Sequence, residues 1–334
     1  MNGRERMIAA LRFEEADCVA VNPEVIQHSL EISGIKHSRY SQDAETMAQA
    51  QLACRNFYDY DSVYVSSDNY VLCEAFGGEL RFPDDEPPQL IRIPFRDNDV
   101  ASLKAVKPES GRVGVILKAT ELCKKKSGNE FFVKTCIDSA PFSAAAAAAG
   151  TEQFLMALMD EEDWVDDLLN FCTEQIIQFG MLAAESGADG LAFGDSVSAM
   201  VGRELYKTAA FPYAKKAISA LKEQTGLPVF YHVCGNTNHI LDLFFETGAD
   251  CIEIDSMVDM AEAKKASGGR YCLEGNVSTI DALLNGTPKD VRLESDRIIN
   301  LFGSKGGLIL SGACEIPRHT PRENLAEMIA AARA

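Results

Sequence analysis

Val229-Phe230-Tyr231-His232-Val233-Cys234-Gly235-Asn236 carries an apolar run into an H-x-C pair, a glycine and a new helical pattern beginning near Thr237. This reads as a strand, a loop and a helix in succession, with two soft metal ligands at the turn. Leu308-Ile309-Leu310-Ser311-Gly312-Ala313-Cys314 repeats the design later in the chain: apolar strand, small residues, cysteine. His232, Cys234 and Cys314 are ligand types that zinc takes, and three protein ligands with one open position is the catalytic arrangement. The competing reading is that Cys234 and Cys314 serve as small hydrophobes, as buried cysteines often do. Both cysteines follow strands, where an α/β barrel places its chemistry, and this favours the metal.

Working outward, the second half of the chain alternates short apolar runs with helical patterns, the signature of a parallel sheet. Strands are expected near residues 19, 62, 131, 190, 229, 251, 271 and 308, and a closed (β/α)8 TIM barrel needs eight. A helix over 4–13 precedes them, with Met7, Ile8 and Leu11 on one face. Further helices are expected over 41–58, 101–127, 152–187, 203–224, 237–247 and 258–266, with a tightly packed short one at the alanine run 144–149. Residues 71–95, with Gly77-Gly78 and prolines from Pro83 to Pro88, read as a β-like excursion. No linker rich in Pro, Gly or Ser divides the chain, so residues 1–334 are expected to form a single domain. The strands read as apolar through their middles, leaving the polar residues at their C-terminal ends.

The 334 residues are 46% hydrophobic, enough for a large buried core. No apolar run reaches membrane-spanning length, and the charged start Met1-Asn2-Gly3-Arg4-Glu5-Arg6-Met7 has no signal-peptide h-region. A cytoplasmic location is expected. Ten cysteines there argue against a disulfide framework. A net charge of −18 argues against nucleic-acid or anionic-membrane partners.

The polar residues at the expected strand ends are Asp68, Asp195, His232, Cys234, Asp255, Glu274, Asn276 and Cys314. Thiolate-rich ligation softens zinc and suits a fourth ligand that must stay nucleophilic, such as a substrate thiolate. A His-rich zinc is better suited to activating water. Asp255 ends the strand after the H-x-C strand; it either fills the open zinc position at rest or caps the helix that follows. Asp68, Asp195 and Glu274 are candidates to bind substrate or orient a ligand, with helix capping the alternative for each. Asn236 and Asn276 are candidates for cofactor contact. Few cations sit near strand ends, Arg203 and Arg318 being the nearest, which favours a neutral or aromatic substrate over an anionic one.

Tyr231-His232-Val233-Cys234-Gly235-Asn236-Thr237, Gly248-Ala249-Asp250, Gly275-Asn276-Val277, Leu284-Asn285-Gly286-Thr287-Pro288 and Gly312-Ala313-Cys314-Glu315-Ile316-Pro317 resemble the uroporphyrinogen decarboxylase superfamily. More closely, they resemble its branch of cobamide-dependent methyltransferases. The resemblance is dense from about residue 150 onward and thinner earlier, through Ser67-Asp68 and Cys73-Glu74-Ala75-Phe76-Gly77-Gly78. It implies a TIM barrel and a zinc held by His232, Cys234 and Cys314, with Asp255 as the carboxylate that completes the shell. It also implies methyl transfer to or from the cobalt of a corrinoid carried by a separate small protein. The other substrate is then a thiol such as coenzyme M, a methyl ether such as a methoxylated aromatic, or another simple donor. Uroporphyrinogen decarboxylase itself is the alternative, with its catalytic aspartate falling near Asp68. Its arginine-rich N-terminal segment has no match, because Val19-Ala20-Val21 is followed by Asn22-Pro23-Glu24-Val25-Ile26-Gln27. A non-catalytic barrel that binds a tetrapyrrole or corrinoid protein is the third possibility.

Overall fold

The computed structural model describes residues 1–303 and 305–334. Its strands, in chain order, are β1 (Ala20–Val21), β2 (Ser62–Val65), β3 (Glu79–Arg81), β4 (Gln89–Arg92) and β5 (Phe132–Ser139). The second half adds β6 (Gly190–Gly194), β7 (Val229–His232), β8 (Cys251–Ile254), β9 (Cys272–Val277) and β10 (Leu308–Gly312). Eight of them form one sheet in the order β1-β10-β9-β8-β7-β6-β5-β2, and every neighbouring pair in it is parallel. These are the eight strands expected from the sequence. With helices between them, they make a nearly closed TIM barrel. The excursion is the antiparallel pair β3–β4.

The two ends of the sheet meet at a seam built around Asp61. Its N–H donates to the Val21 carbonyl at 3.1 Å, and its carboxylate accepts the Val21 N–H at 2.8 Å. The same carboxylate, nearly fully buried, receives Arg6 at 3.0 Å and Arg333 at 2.8 Å. One side chain thus joins β1 and the approach to β2 to the first and last helices, Gly3–Leu11 and Arg322–Arg333.

Local chemistry explains where the helices differ from expectation. Residues 41–58 were expected as one helix, but Asp43 is extended and its carboxylate caps Thr46 N–H. It ends His37–Gln42 and starts Ala44–Tyr58, as a good N-cap does. The helix expected from 237 begins only at Leu241. Asn236 accepts from its neighbour Asn238 N–H at 3.1 Å, and Gly235 takes φ 86°, so the chain turns first. The alanine run lies in Pro141–Ala149, almost wholly buried against Trp164–Glu185. Ile26–Ser33 and Val71–Ala75 are short helices with no expected counterpart.

The expectation of apolar strand middles is corrected. Lys134 lies within β5 and is fully buried, Glu253 lies within β8, and Glu274 lies within β9. They meet in the barrel interior, where Lys134 and the two carboxylates supply the countercharge that buried ions require. Among the described residues no helix is long and apolar enough to cross a membrane.

Candidate metal centre

The C-terminal ends of β7 and β10 bring His232, Cys234 and Cys314 together, with their ligand atoms all within 4.8 Å of one another. Cys234 Sγ and Cys314 Sγ are 3.9 Å apart, so both are free thiols. That separation fits two sulfurs of a zinc tetrahedron, whose S···S edge is ~3.8 Å at normal Zn–S distances. His232 Nε2 lies 2.9 Å from Cys234 Sγ, hydrogen-bonding range and shorter than the roughly 3.5 Å edge expected between zinc-bound nitrogen and sulfur. The donor set, its spacing and its partial exposure fit zinc.

The electrostatics prepare the ligands. The Cys234 thiol is pushed well down by its hydrogen bond with Cys314 and then, against burial, by His232. Ser196 Oγ donates to Cys234 Sγ at 3.3 Å, a further stabilisation of the thiolate. Cys314 is pushed up by the same sulfur contact and by burial. Burial opposes charge on His232, but the Cys234 thiolate and Glu253 outweigh it and raise its pKa. His232 Nδ1 is buried without a hydrogen-bond partner, and Glu253 Oε2 stands 3.8 Å away. A carboxylate beside the second ring nitrogen is the usual device for orienting a ligating histidine.

Behind Glu253 is a buried charge cluster that sequence reasoning missed. Lys134 Nζ lies 2.5 Å from Glu253, 3.0 Å from Glu274 and 3.3 Å from Glu24, and over the faces of Tyr64 and Phe230. Burial raises the carboxyls of Glu24 and Glu274, the ammonium opposing it. The available signal was a charge inside an apolar strand, in Phe132-Val133-Lys134-Thr135 and Cys251-Ile252-Glu253-Ile254.

The remaining strand-end residues divide by what they touch. Asp255, expected as a zinc ligand or helix cap, accepts Gly235 N–H at 2.8 Å and Met257 N–H at 2.9 Å. Both carboxylate oxygens accept backbone amides here, so Asp255 braces the turn that presents Cys234. Asn276, expected to contact a cofactor, is buried and donates to the carbonyls of Asp255 and Val258, which pins that brace. Asn236 is exposed and engaged with Asn238. Asp195 is fully buried, accepting Ser143 Oγ at 2.6 Å and Tyr231 OH at 2.9 Å, and burial raises its pKa. Asp68 is held by Arg112 and by Ser67 Oγ. Glu274 belongs to the Lys134 cluster and accepts Asn22 Nδ2 at 2.6 Å. Asp68, Asp195 and Glu274 are thus each engaged by protein partners, and none belongs to the His232, Cys234 and Cys314 ligand group.

The ligand group opens onto a small cleft of about 110 Å³. Its walls include Tyr64, Phe193, Ser196 and four carboxylates, Glu24, Asp138, Glu253 and Glu315. Asp138 sits at φ 74°, where the register between β5 and β6 shifts, and a strand irregularity of this kind re-aims a side chain. Burial pushes its carboxyl up to about 7. Glu315 is likewise raised by burial to about 7.

The family model described as "Uroporphyrinogen decarboxylase (URO-D)" matches residues 2–334. The chain is 32% identical to the methylcobamide:CoM methyltransferase MtbA of Methanosarcina mazei, over 99% of this chain and 97% of the relative. It is 25% identical to a uroporphyrinogen decarboxylase of Chlorobium phaeobacteroides, over 78% of this chain and 74% of that protein. The fold matches a solved methyltransferase from Methanosarcina mazei with a TM-score of 0.90 at 24% identity, covering 99% of this chain and 98% of that one.

Proposed function

The chain belongs to the uroporphyrinogen decarboxylase family, and from that premise we propose that it is a zinc-dependent methyltransferase acting between a small substrate and the cobalt of a corrinoid protein. The observation that carries this reading is the convergence of His232, Cys234 and Cys314 at the mouth of a cleft. A decarboxylase needs no such group. The full-length likeness to a protein named as a methylcobamide:CoM methyltransferase supports the same reading.

A zinc ion bound there supplies Lewis acidity, keeping a substrate thiol deprotonated or making an ether oxygen a better leaving group. The protein does the rest. His232, Cys234 and Cys314 hold the metal, Glu253 with Lys134 behind it sets the imidazole, and Asp255 fixes the turn that carries Cys234. Tyr64 and Phe193 form apolar walls that limit water, and the cleft aligns the substrate heteroatom with the incoming methyl carrier, which lowers the barrier by orientation. The carrier is a small corrinoid-binding protein that docks over the C-terminal ends of the strands.

Metal analysis and methyl transfer test this together. The purified chain should hold about one zinc, as expected for a three-ligand open site. Cys234→Ala and Cys314→Ala should lose it, along with transfer between methylcobalamin and small thiols or methyl ethers. Full zinc retention by Cys234→Ala would remove that residue from the shell. Full turnover by zinc-free protein would overturn the proposal.

A further inference from the structure

The walls of the metal cleft continue into a second, larger cavity. Ser196 and Asn69 line both, and Ser196 Oγ is 3.3 Å from Cys234 Sγ, so the cavity begins one side chain away from the ligand group. Its space is about 300 Å³, against about 110 Å³ in the cleft. Two features that the metal chemistry leaves unused build it. One is the alanine run: from Ala144 to Ala149 only Ala147 is not buried, and it lines the cavity, where a longer side chain would project into the space. The other is the β3–β4 excursion, whose Leu90 and Ile93 form another wall. Phe95 N–H donates to the Ala148 carbonyl at 3.2 Å, and Gln153 Nε2 donates to Asn98 Oδ1 at 3.1 Å. These bonds hold the chain after β4 against the helices Pro141–Ala149 and Thr151–Met159.

The lining differs in kind from that of the cleft. Among the described residues it includes no Asp, Glu, Lys, Arg or His. Asn69, Tyr70 and Thr151 offer an amide and two hydroxyls that make no hydrogen bond among the described residues, and Leu90, Ile93 and Val197 offer aliphatic surface. Such a wall matches a ligand edge of the same make-up, neutral amides set among methyl groups. The rim of a corrin ring has that composition, with acetamide and propionamide arms beside methyl groups. Methyl transfer needs the Co–C bond in line with the atom that the metal holds, and that bond stands perpendicular to the ring. The macrocycle is far wider than the cleft, so it lies flat across the mouth and its rim overhangs the neighbouring surface.

Resting on the methyltransferase reading, we propose that this cavity seats one edge of the corrin ring. An amide arm enters between Ala147 and the excursion, where Asn69, Tyr70 and Thr151 bond it. The seat fixes the rotation of the ring about the Co–C axis, and so the direction from which the carrier protein approaches.

The test titrates the zinc-loaded full chain with methylcobalamin and with methylcobinamide, which keeps the ring amides and lacks the nucleotide tail. Binding is read by calorimetry, and methyl transfer to 2-mercaptoethanol by kcat and by KM for each reactant. In that transfer the thiolate sulfur forms the C–S bond as the Co–C bond breaks, the bonding pair stays on cobalt, and the thiol proton passes to buffer. Ala147→Phe should weaken both corrinoids about tenfold or more in Kd and KM, with zinc content and thiol binding within about twofold of the parent. Asn69→Ala with Thr151→Val removes two hydrogen-bonding groups without adding bulk, and should weaken both corrinoids about threefold to tenfold. It carries the test if Ala147→Phe does not fold. Unchanged corrinoid binding in these variants would overturn the inference. Loss of thiol binding with corrinoid binding intact would do the same, giving the cavity to the small substrate. A loss confined to methylcobalamin would give it to the nucleotide tail and end the ring assignment. If the parent binds both corrinoids in the expected pattern but transfers no methyl group, the methyltransferase reading falls and the seat stands. A parent that neither binds nor turns over either corrinoid overturns both.

Discussion

Lys134→Met removes the one cation among Glu24, Glu253 and Glu274 while keeping most of the aliphatic volume. Lys134 is fully buried, and the three carboxylates are nearly so. Deleting one partner of a buried ionic cluster leaves uncompensated charge and costs about 3–5 kcal/mol. At about 2 °C per kcal/mol for a large domain, Tm should fall by about 6–10 °C at pH 8. The loss should depend on pH, with a sign that follows from proton binding. Burial raises the Glu24 and Glu274 carboxyls from the usual 4.5 to about 7 and about 8. The folded chain therefore binds more protons than the unfolded chain between pH 4.5 and 8, and stability falls as pH rises through that window. Lys134 has a raised pKa, so its contribution is fully present throughout this window and is lost only at far higher pH. Without it the carboxyls rise further and the slope steepens, so the penalty at pH 5.5 should be less than about half that at pH 8. Scanning calorimetry of zinc-loaded parent and variant, at one scan rate and one free zinc concentration, measures this. Equal losses at the two pH values, or a loss below ~1 kcal/mol at pH 8, would refute the reasoning.

Asp255→Ala should cost about 1 kcal/mol, the value of a lost cap, because its oxygens bind only the Gly235 and Met257 amides. Zinc stoichiometry should stay near one per chain; loss of the metal with unchanged Tm would place Asp255 in the ligand shell. Asp61→Ala should be among the most destabilising single changes, about 3–5 kcal/mol, since it frees Arg6 and Arg333 and opens the seam at Val21. Denaturant midpoints against the parent give the comparison, and a shift within ~0.5 kcal/mol would show that the seam is held elsewhere.

The eight barrel strands could be read from the sequence because each is short, mostly apolar and bounded by turn signals or helical patterns. The H-x-C pair and Cys314 could be read because their residue types are rare together and each follows a strand. What each strand-end carboxylate does could not be read, because Asp68, Asp195, Asp255 and Glu274 have the same local setting in one dimension. Only the folded chain decides that Asp255 faces the Gly235 amide, that Asp68 faces Arg112 and that Asp195 receives Tyr231. The carboxyl-rich lining of the cleft is a tertiary property for the same reason. Glu24 follows β1, Asp138 ends β5, Glu253 lies in β8 and Glu315 follows β10, so these residues become neighbours only when the barrel closes. Lys134 alone reads as an oddity within a strand; its meaning depends on partners more than a hundred residues away, which the alternation of strand faces brings to one point in the barrel interior.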